Sequence, residues 1–171
     1  ARFGDLPKLL GALSGDDKET AKQLKAANKA DVKALAKERK AGQFVLRFDR
    51  GTMAEQQQML DAMPDDTLEA VVAKRAALEQ HQAQRDGRFR FACDAYVAAF
   101  LLPKTAASRA MVPTTGTLRN LAVGAEPTAT MRTAVEEMAA AVPLLHWPIT
   151  FAAVMARGGF DCVLGNPPWE K

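Results

Sequence analysis

Residues 158–171 read GGFDCVLGNPPWEK. Phe160, Cys162, Val163 and Leu164 crowd around a single Asp, and Gly158 with Gly159 punctuates the start, so residues 160–164 predict a short buried strand. Asn166, Pro167 and Pro168 must end that strand, because proline has no amide proton for a ladder and pushes the residue before it into extended or polyproline geometry. The predicted strand therefore delivers a stiff loop carrying a side-chain amide at Asn166 and an indole at Trp169. Such a loop is either a plain terminator or a site.

Composition sets the surroundings of that loop. The 171 residues suffice for one core, but the apolar content leans on alanine and only 6% of residues are aromatic, which predicts a helix-rich, loosely filled interior. Lys and Arg total 23 against 20 Asp and Glu, a formal charge of +3, which permits nucleic-acid contact without requiring it. Cys93 and Cys162 are far apart in apolar surroundings and lack metal spacing, so a reduced, cytoplasmic protein without bound metal or a disulfide framework is expected. No apolar run approaches the ~18 residues of a membrane span, and the opening ARFGDLPKLL lacks a signal-peptide core. An initial Ala in place of Met, with an end two residues past Trp169, predicts a piece of a longer polypeptide.

The remaining pattern is mainly helical. A capping pair at Asp16 and Glu19 opens a long charged run that ends near Gly42, with Leu24, Ala27, Val32 and Leu35 as its apolar stripe. Lys22, Lys25, Lys29, Lys33, Lys37 and Lys40 recur three or four apart along it. They read as a solvated face or as a row able to touch phosphates. QFVLRFDRG (residues 43–51) alternates Phe44, Leu46 and Phe48 like a short strand. Thr52 with Glu55 and then Asp66 open two further helices, the second closed by Gly87, and His81 has no ligand partner at metal spacing. The stretch from Arg88 to Lys104 places Phe91, Ala95, Ala98, Ala99 and Leu102 on a broad apolar face, the hub of the core. Arg88 and Arg90 beside Phe89 and Phe91 read as packing aromatics in preference to a nucleic-acid patch.

Residues 103–127 shift to Thr, Ser, Ala, Gly and Pro and read as a partly helical connection. A further helix ends at Pro143, and His146 and Trp147 follow as packing residues. This gives a helical region at 1–102, a connection at 103–127, and at 128–171 a helix, the His-Trp segment, the strand and the loop.

Asn-Pro-Pro followed by an aromatic is expected by chance in a chain of this length on the order of once in a thousand. FDCVLGNPPWEK resembles motif IV of the adenine-N6 DNA methyltransferases, particularly the large single-chain enzymes of restriction-modification and phage defence. HWPITFAAVMARGG resembles the approach to that motif, and CDAYVAAFLLPK is more weakly similar to a helical stretch ahead of it. The strong similarity covers about the last 26 residues, the weak one reaches back to about Arg88, and nothing earlier shares it.

The resemblance implies a helical insertion that leads into one catalytic strand of an α/β, Rossmann-like methyltransferase core. It implies S-adenosylmethionine as methyl donor and double-stranded DNA with a flipped adenine as substrate. By the same resemblance, the Asn166 side-chain carbonyl and the Pro167 backbone carbonyl accept the two amine hydrogens, Pro167 and Pro168 stiffen the loop, and Trp169 stacks on the base. The glycine-rich donor loop of that family has no counterpart in the sequence. The donor half is therefore expected in the remainder of the same polypeptide. Two rival readings are a helical interaction module in which Trp169 is an exposed anchor, and a nucleic-acid-binding helical module without catalysis.

Overall fold

A computed structural model describes residues 14–41, 50–84 and 87–165. Among them run eight helices: α1 (Lys18–Lys40), α2 (Arg50–Ala62), α3 (Leu68–Gln84), α4 (Gly87–Leu101), α5 (Thr115–Ala122), α6 (Ala129–Ala141), α7 (Trp147–Thr150) and α8 (Ala152–Ala156). A 3₁₀ turn at Arg109–Met111 lies between α4 and α5, and no strand occurs among the described residues. The mainly helical character matches the composition. The described residues of Ala1–Phe48 and Asp86–Leu144 form one unit, and those of Asp49–Arg85 and Leu145–Lys171 form another.

In the first unit α4 is the hub. Phe89, Phe91, Ala92, Cys93, Asp94, Ala95, Ala98 and Ala99 are all buried along it. Alanines at 92, 95, 98 and 99 let the neighbouring helices approach closely but contribute little apolar area each. Leu24 of α1, Val112, Leu118 and Leu121 around α5, and Met131, Val135 and Met138 of α6 complete the core. Residues 103–127, expected as a partly helical connection, carry the 3₁₀ turn and α5 and supply three of these core side chains. The reason is local. Thr114 and Thr117 form a capping box that starts α5, and Gly124, with φ of 93°, ends it by donating to the Leu121 carbonyl while the next amide reaches Asn120.

Helix α1 is too polar to be held by burial alone. Its inward face is Thr20, Ala21, Leu24, Asn28 and Leu35, whereas Ala27, expected on the stripe, is exposed. The N-cap is Asp17 rather than Asp16: its carboxylate accepts from the Thr20 amide at 2.7 Å. That amide first, and the Thr20 hydroxyl second, hold the Asp17 carboxyl below the usual carboxylate range. Asp16 serves a different bond. It accepts from the Lys104 backbone amide at 2.8 Å and lies 3.5 Å from the Lys104 ammonium. Lys104 is fully buried, and its ammonium also donates to the carbonyls of Phe100 and Leu102, which offsets the several kcal/mol a buried lone charge costs.

The start of α5 is completed from α1. A helix leaves its first amides without intrahelical partners. Here all four are met by side chains: Thr114 N–H by Thr117 Oγ1 at 3.3 Å, Thr115 N–H by Asn28 Oδ1 at 2.8 Å, Gly116 N–H by Asp31 Oδ2 at 3.0 Å and Thr117 N–H by Thr114 Oγ1 at 3.4 Å. The Thr114 hydroxyl donates to Asp31 Oδ2 at 2.7 Å. One turn on, Arg119 forks onto Glu38 at 3.0 and 3.2 Å.

In the second unit Met53 and Ala54 of α2 and Ala152 and Ala153 of α8 are buried where the two helices pack. Thr67, not Asp66, caps α3 by accepting from the Ala70 amide at 3.1 Å. Thr52 lies inside α2 rather than capping it, and Gly87 begins α4 rather than closing α3. The strand expected at residues 43–51 falls mostly on residues 42–49, outside the described residues; Arg50 and Gly51 belong to α2.

Asp31→Ala is expected to cost ~1 to 3 kcal/mol, because it leaves the Gly116 amide and Thr114 hydroxyl without their acceptor. Gly116→Ala should also destabilise, since a Cβ there would lie 2.7 Å from Asp31 Oδ2. The double variant should be more stable than the sum of the two losses, because removing the carboxylate removes the clash and leaves alanine's better helix propensity. Urea midpoints of the four proteins measure this; strictly additive losses would mean that Gly116 and Asp31 do not meet.

Candidate functional site

The approach to the candidate loop is built by α7 and α8. Pro148 sits in the first turn of α7, where a missing amide proton costs nothing, and His146 occupies its N-cap position. The chain breaks at Phe151, with φ of −121° and ψ of 46°, before α8 begins. Gln57 of α2 spans that break: its Nε2 donates to the Thr150 carbonyl at 3.3 Å and its Oε1 accepts from the Ala153 amide at 3.0 Å. One side chain thus serves the end of α7 and the start of α8.

Gly158 and Gly159 close α8. Gly159 N–H reaches the Val154 carbonyl and Gly158 N–H the Met155 carbonyl, the paired bonds of a Schellman turn. Their φ values of 111° and 120° would strain any residue with a Cβ. The turn aims Phe160 back onto the short helices, where it meets Trp147 edge-on at 5.2 Å and Phe151 at 5.2 Å, while Trp147 and Phe151 lie 5.7 Å apart. Trp147 is thus the packing residue expected of it, with ring pairs worth ~0.5 to 1.5 kcal/mol each beyond burial.

Beyond Phe160 the expected buried strand is not formed. Residues 160–165 have no strand pairing, Cys162 is exposed, and Val163 and Leu164 are 66% and 92% exposed. A strand exists through its ladder, and a lone extended segment gains nothing from its apolar side chains until a neighbour pairs with it and covers a face. No described residue offers that neighbour. Asn166, Pro167, Pro168 and Trp169 lie outside the described residues.

The other singled-out residues sort as follows. His81 lies on α3, and no cluster of three metal-ligating side chains occurs among the described residues. Phe89 and Phe91 are buried, so the aromatic half of the Arg88-to-Phe91 patch is core. Its basic half is engaged with carboxylates: Arg88 with Glu126 at 3.3 Å and Arg90 with Asp94 at 3.8 Å. Arg132 joins Glu126 at 2.6 Å and lies 5.3 Å over the Phe91 ring. Sequence reasoning missed Gln57, one of three consecutive glutamines; its spacing of four from Met53 and three from Leu60 was the signal that it faces inward.

The implied donor calls for a glycine-rich turn that opens a helix with its amides free. Among the described residues the glycines with positive φ are Gly15, Gly124, Gly158 and Gly159; the first precedes α1 and the others close α5 and α8. The described residues do not fit that group. No helix among them is long and apolar enough to cross a membrane.

Compared with protein-family models, curated proteins and solved structures, the chain matches none.

Gln57→Leu, close in volume but without hydrogen bonds, should cost ~1 to 3 kcal/mol by stranding the Thr150 carbonyl and the Ala153 amide. Hydrogen exchange should show the α8 amides losing protection while those of α4 keep theirs. Unchanged exchange at Ala153 would show that Gln57 does not join the two helices.

Proposed function

We propose that this chain is part of a DNA adenine-N6 methyltransferase of the restriction-modification or phage-defence kind, cytoplasmic, with the donor site and the rest of the sheet supplied by further segments of the same polypeptide. One observation carries the reading: the run of residues 160–169, in which an aliphatic segment leads directly into Asn-Pro-Pro-Trp. The exposure of Val163 and Leu164 supports it, since these are side chains that a surrounding sheet would bury.

The chemistry follows from the substrate. The exocyclic amine of adenine is a poor nucleophile because its lone pair is delocalised into the ring, and in a duplex it is also paired, so the base must leave the stack. Asn166 Oδ1 and the Pro167 carbonyl accept the two amine hydrogens and draw the nitrogen toward tetrahedral geometry. Pro167 and Pro168 hold these acceptors in place before reaction, so no reorganisation is needed as charge develops. Trp169 stacks on the extruded base for ~1 to 3 kcal/mol. S-adenosylmethionine supplies the methyl group in such enzymes, and its binding residues belong to the segments outside this chain.

In the polypeptide that contains this chain, Asn166→Ala should abolish methylation of adenine N6 and leave donor affinity nearly intact. Trp169→Phe should keep much of the activity, whereas Trp169→Ala should weaken binding of the extruded base by roughly ten- to a hundredfold. Single-turnover methylation and thermal melts of the same variants check both. Retained turnover without Asn166, or a methyl group found only on cytosine C5, would sink the assignment; a large fall in melting temperature with unchanged methylation per folded molecule would make Trp169 structural.

A further inference from the structure

Helix α1 carries seven lysines, Lys18, Lys22, Lys25, Lys29, Lys33, Lys37 and Lys40, and all are exposed. At 3.6 residues per turn, all but Lys37 fall within an arc of about 80°, and Lys37 lies about 40° beyond it. The acidic residues of the helix are turned elsewhere: Asp31 and Glu38 are committed to α5, and Glu19 lies on the flank, bonded by Gln23. Among the described residues none of the seven lysines pairs with a carboxylate, whereas Arg88, Arg90, Lys104, Arg119 and Arg132 of the same unit each hold one. A formal charge of only +3 for the whole chain thus hides a one-sided concentration of charge.

We infer that the outward face of α1 is a docking surface for the phosphate backbone of duplex DNA. The choice of duplex DNA rests on the methyltransferase reading; the choice of a polyanion rests on the lysines alone. The row runs about 33 Å, at 1.5 Å per residue. That is about one helical turn of a duplex, so a straight row meets the phosphates of the two strands where they cross it on either side of a groove. A rigid straight row of that pitch suits a regular polyanion, and lysines present point charges without the bidentate geometry that would read a base. Binding is therefore indifferent to sequence and serves to hold the duplex. Anionic membrane is the weaker fit, because the apolar side of α1, with Leu24 and Leu35, is buried in its own unit, leaving nothing to insert.

The test is fluorescence anisotropy of the 171-residue chain with a labelled 30-base-pair duplex across a salt series, in parallel with sedimentation onto phosphatidylserine vesicles. Lys22, Lys25, Lys29 and Lys33 are changed together to Gln or together to Arg, with circular dichroism as the folding control. The wild type should bind duplexes of unrelated sequence equally. The Gln variant should bind at least tenfold more weakly and lose about one unit of salt slope per lysine, while the Arg variant keeps both. Equal duplex affinity and slope in the Gln variant, or binding to vesicles without binding to duplex, overturns the inference. Loss of methylation in the Asn166 variant with duplex binding intact separates the two claims, as does intact methylation by a longer polypeptide whose α1 lysines bind nothing.

Discussion

Asn28 and Asp31 take the first amides of α5, and much of the first unit depends on that exchange. A helix with seven lysines, three acids and few large apolar residues cannot dock by burial alone. It docks by completing another helix's unfinished hydrogen bonds, an arrangement in which each partner satisfies groups that would otherwise be costly to bury. Gly116 is the matching concession on α5, since the Asp31 carboxylate occupies the space a Cβ would need. The same exchange sorts charge across α1: Asp31 and Glu38 go inward, and the lysines are left outward as one uninterrupted row.

The alanine-rich hub explains why polar joints matter so much here. Ala92, Ala95, Ala98 and Ala99 are fully buried, but a methyl group covers little area, so each adds little at ~25 cal/mol per Å². Specific bonds make up the difference. Asp16 and Asp17 tie the entry of α1 to Lys104 at the exit of α4: the Asp16 carboxylate pairs with the buried ammonium and accepts from the Lys104 amide, and the Asp17 amide donates to the Lys104 carbonyl. In the second unit Gln57 plays a similar part across the α7–α8 break, and the ring cluster of Trp147, Phe151 and Phe160 holds the turn that releases the chain toward the candidate loop.

Much of this was legible in the sequence where a local rule governs. The hub helix follows from the spacing of Phe91, Ala95, Ala98 and Ala99, whereas Gly158-Gly159, expected to open a strand, closes α8. The caps of α1 and α3 are legible to within one residue, whereas Thr52 lies inside α2; of two adjacent aspartates the sequence does not say which one caps, and Asp17 does so because Asp16 is drawn to Lys104, 88 positions away. Within residues 103–127, read from the sequence as a partly helical connection, composition does not say where the helix lies; the capping box and the acceptors on α1 place it at Thr115–Ala122. Residues 160–164 were read as a buried strand from their composition, yet a strand is a property of a pair, and its partner is not among the described residues. The catalytic reading stays where it began, in the residue types of Asn166 to Trp169.

The joint between α1 and α5 can be tested amide by amide. Hydrogen exchange resolved at Thr115 and Gly116 is the most direct measurement, because amides at a helix N-terminus normally exchange quickly for want of an intrahelical acceptor. With Asn28 and Asp31 as acceptors at 2.8 and 3.0 Å, both should be protected as well as the interior of α4, and Asp31→Ala should release Gly116 selectively. Exchange of both amides at unprotected rates in the native chain would contradict the account, and with it the claim that α1 is fixed with its lysines outward.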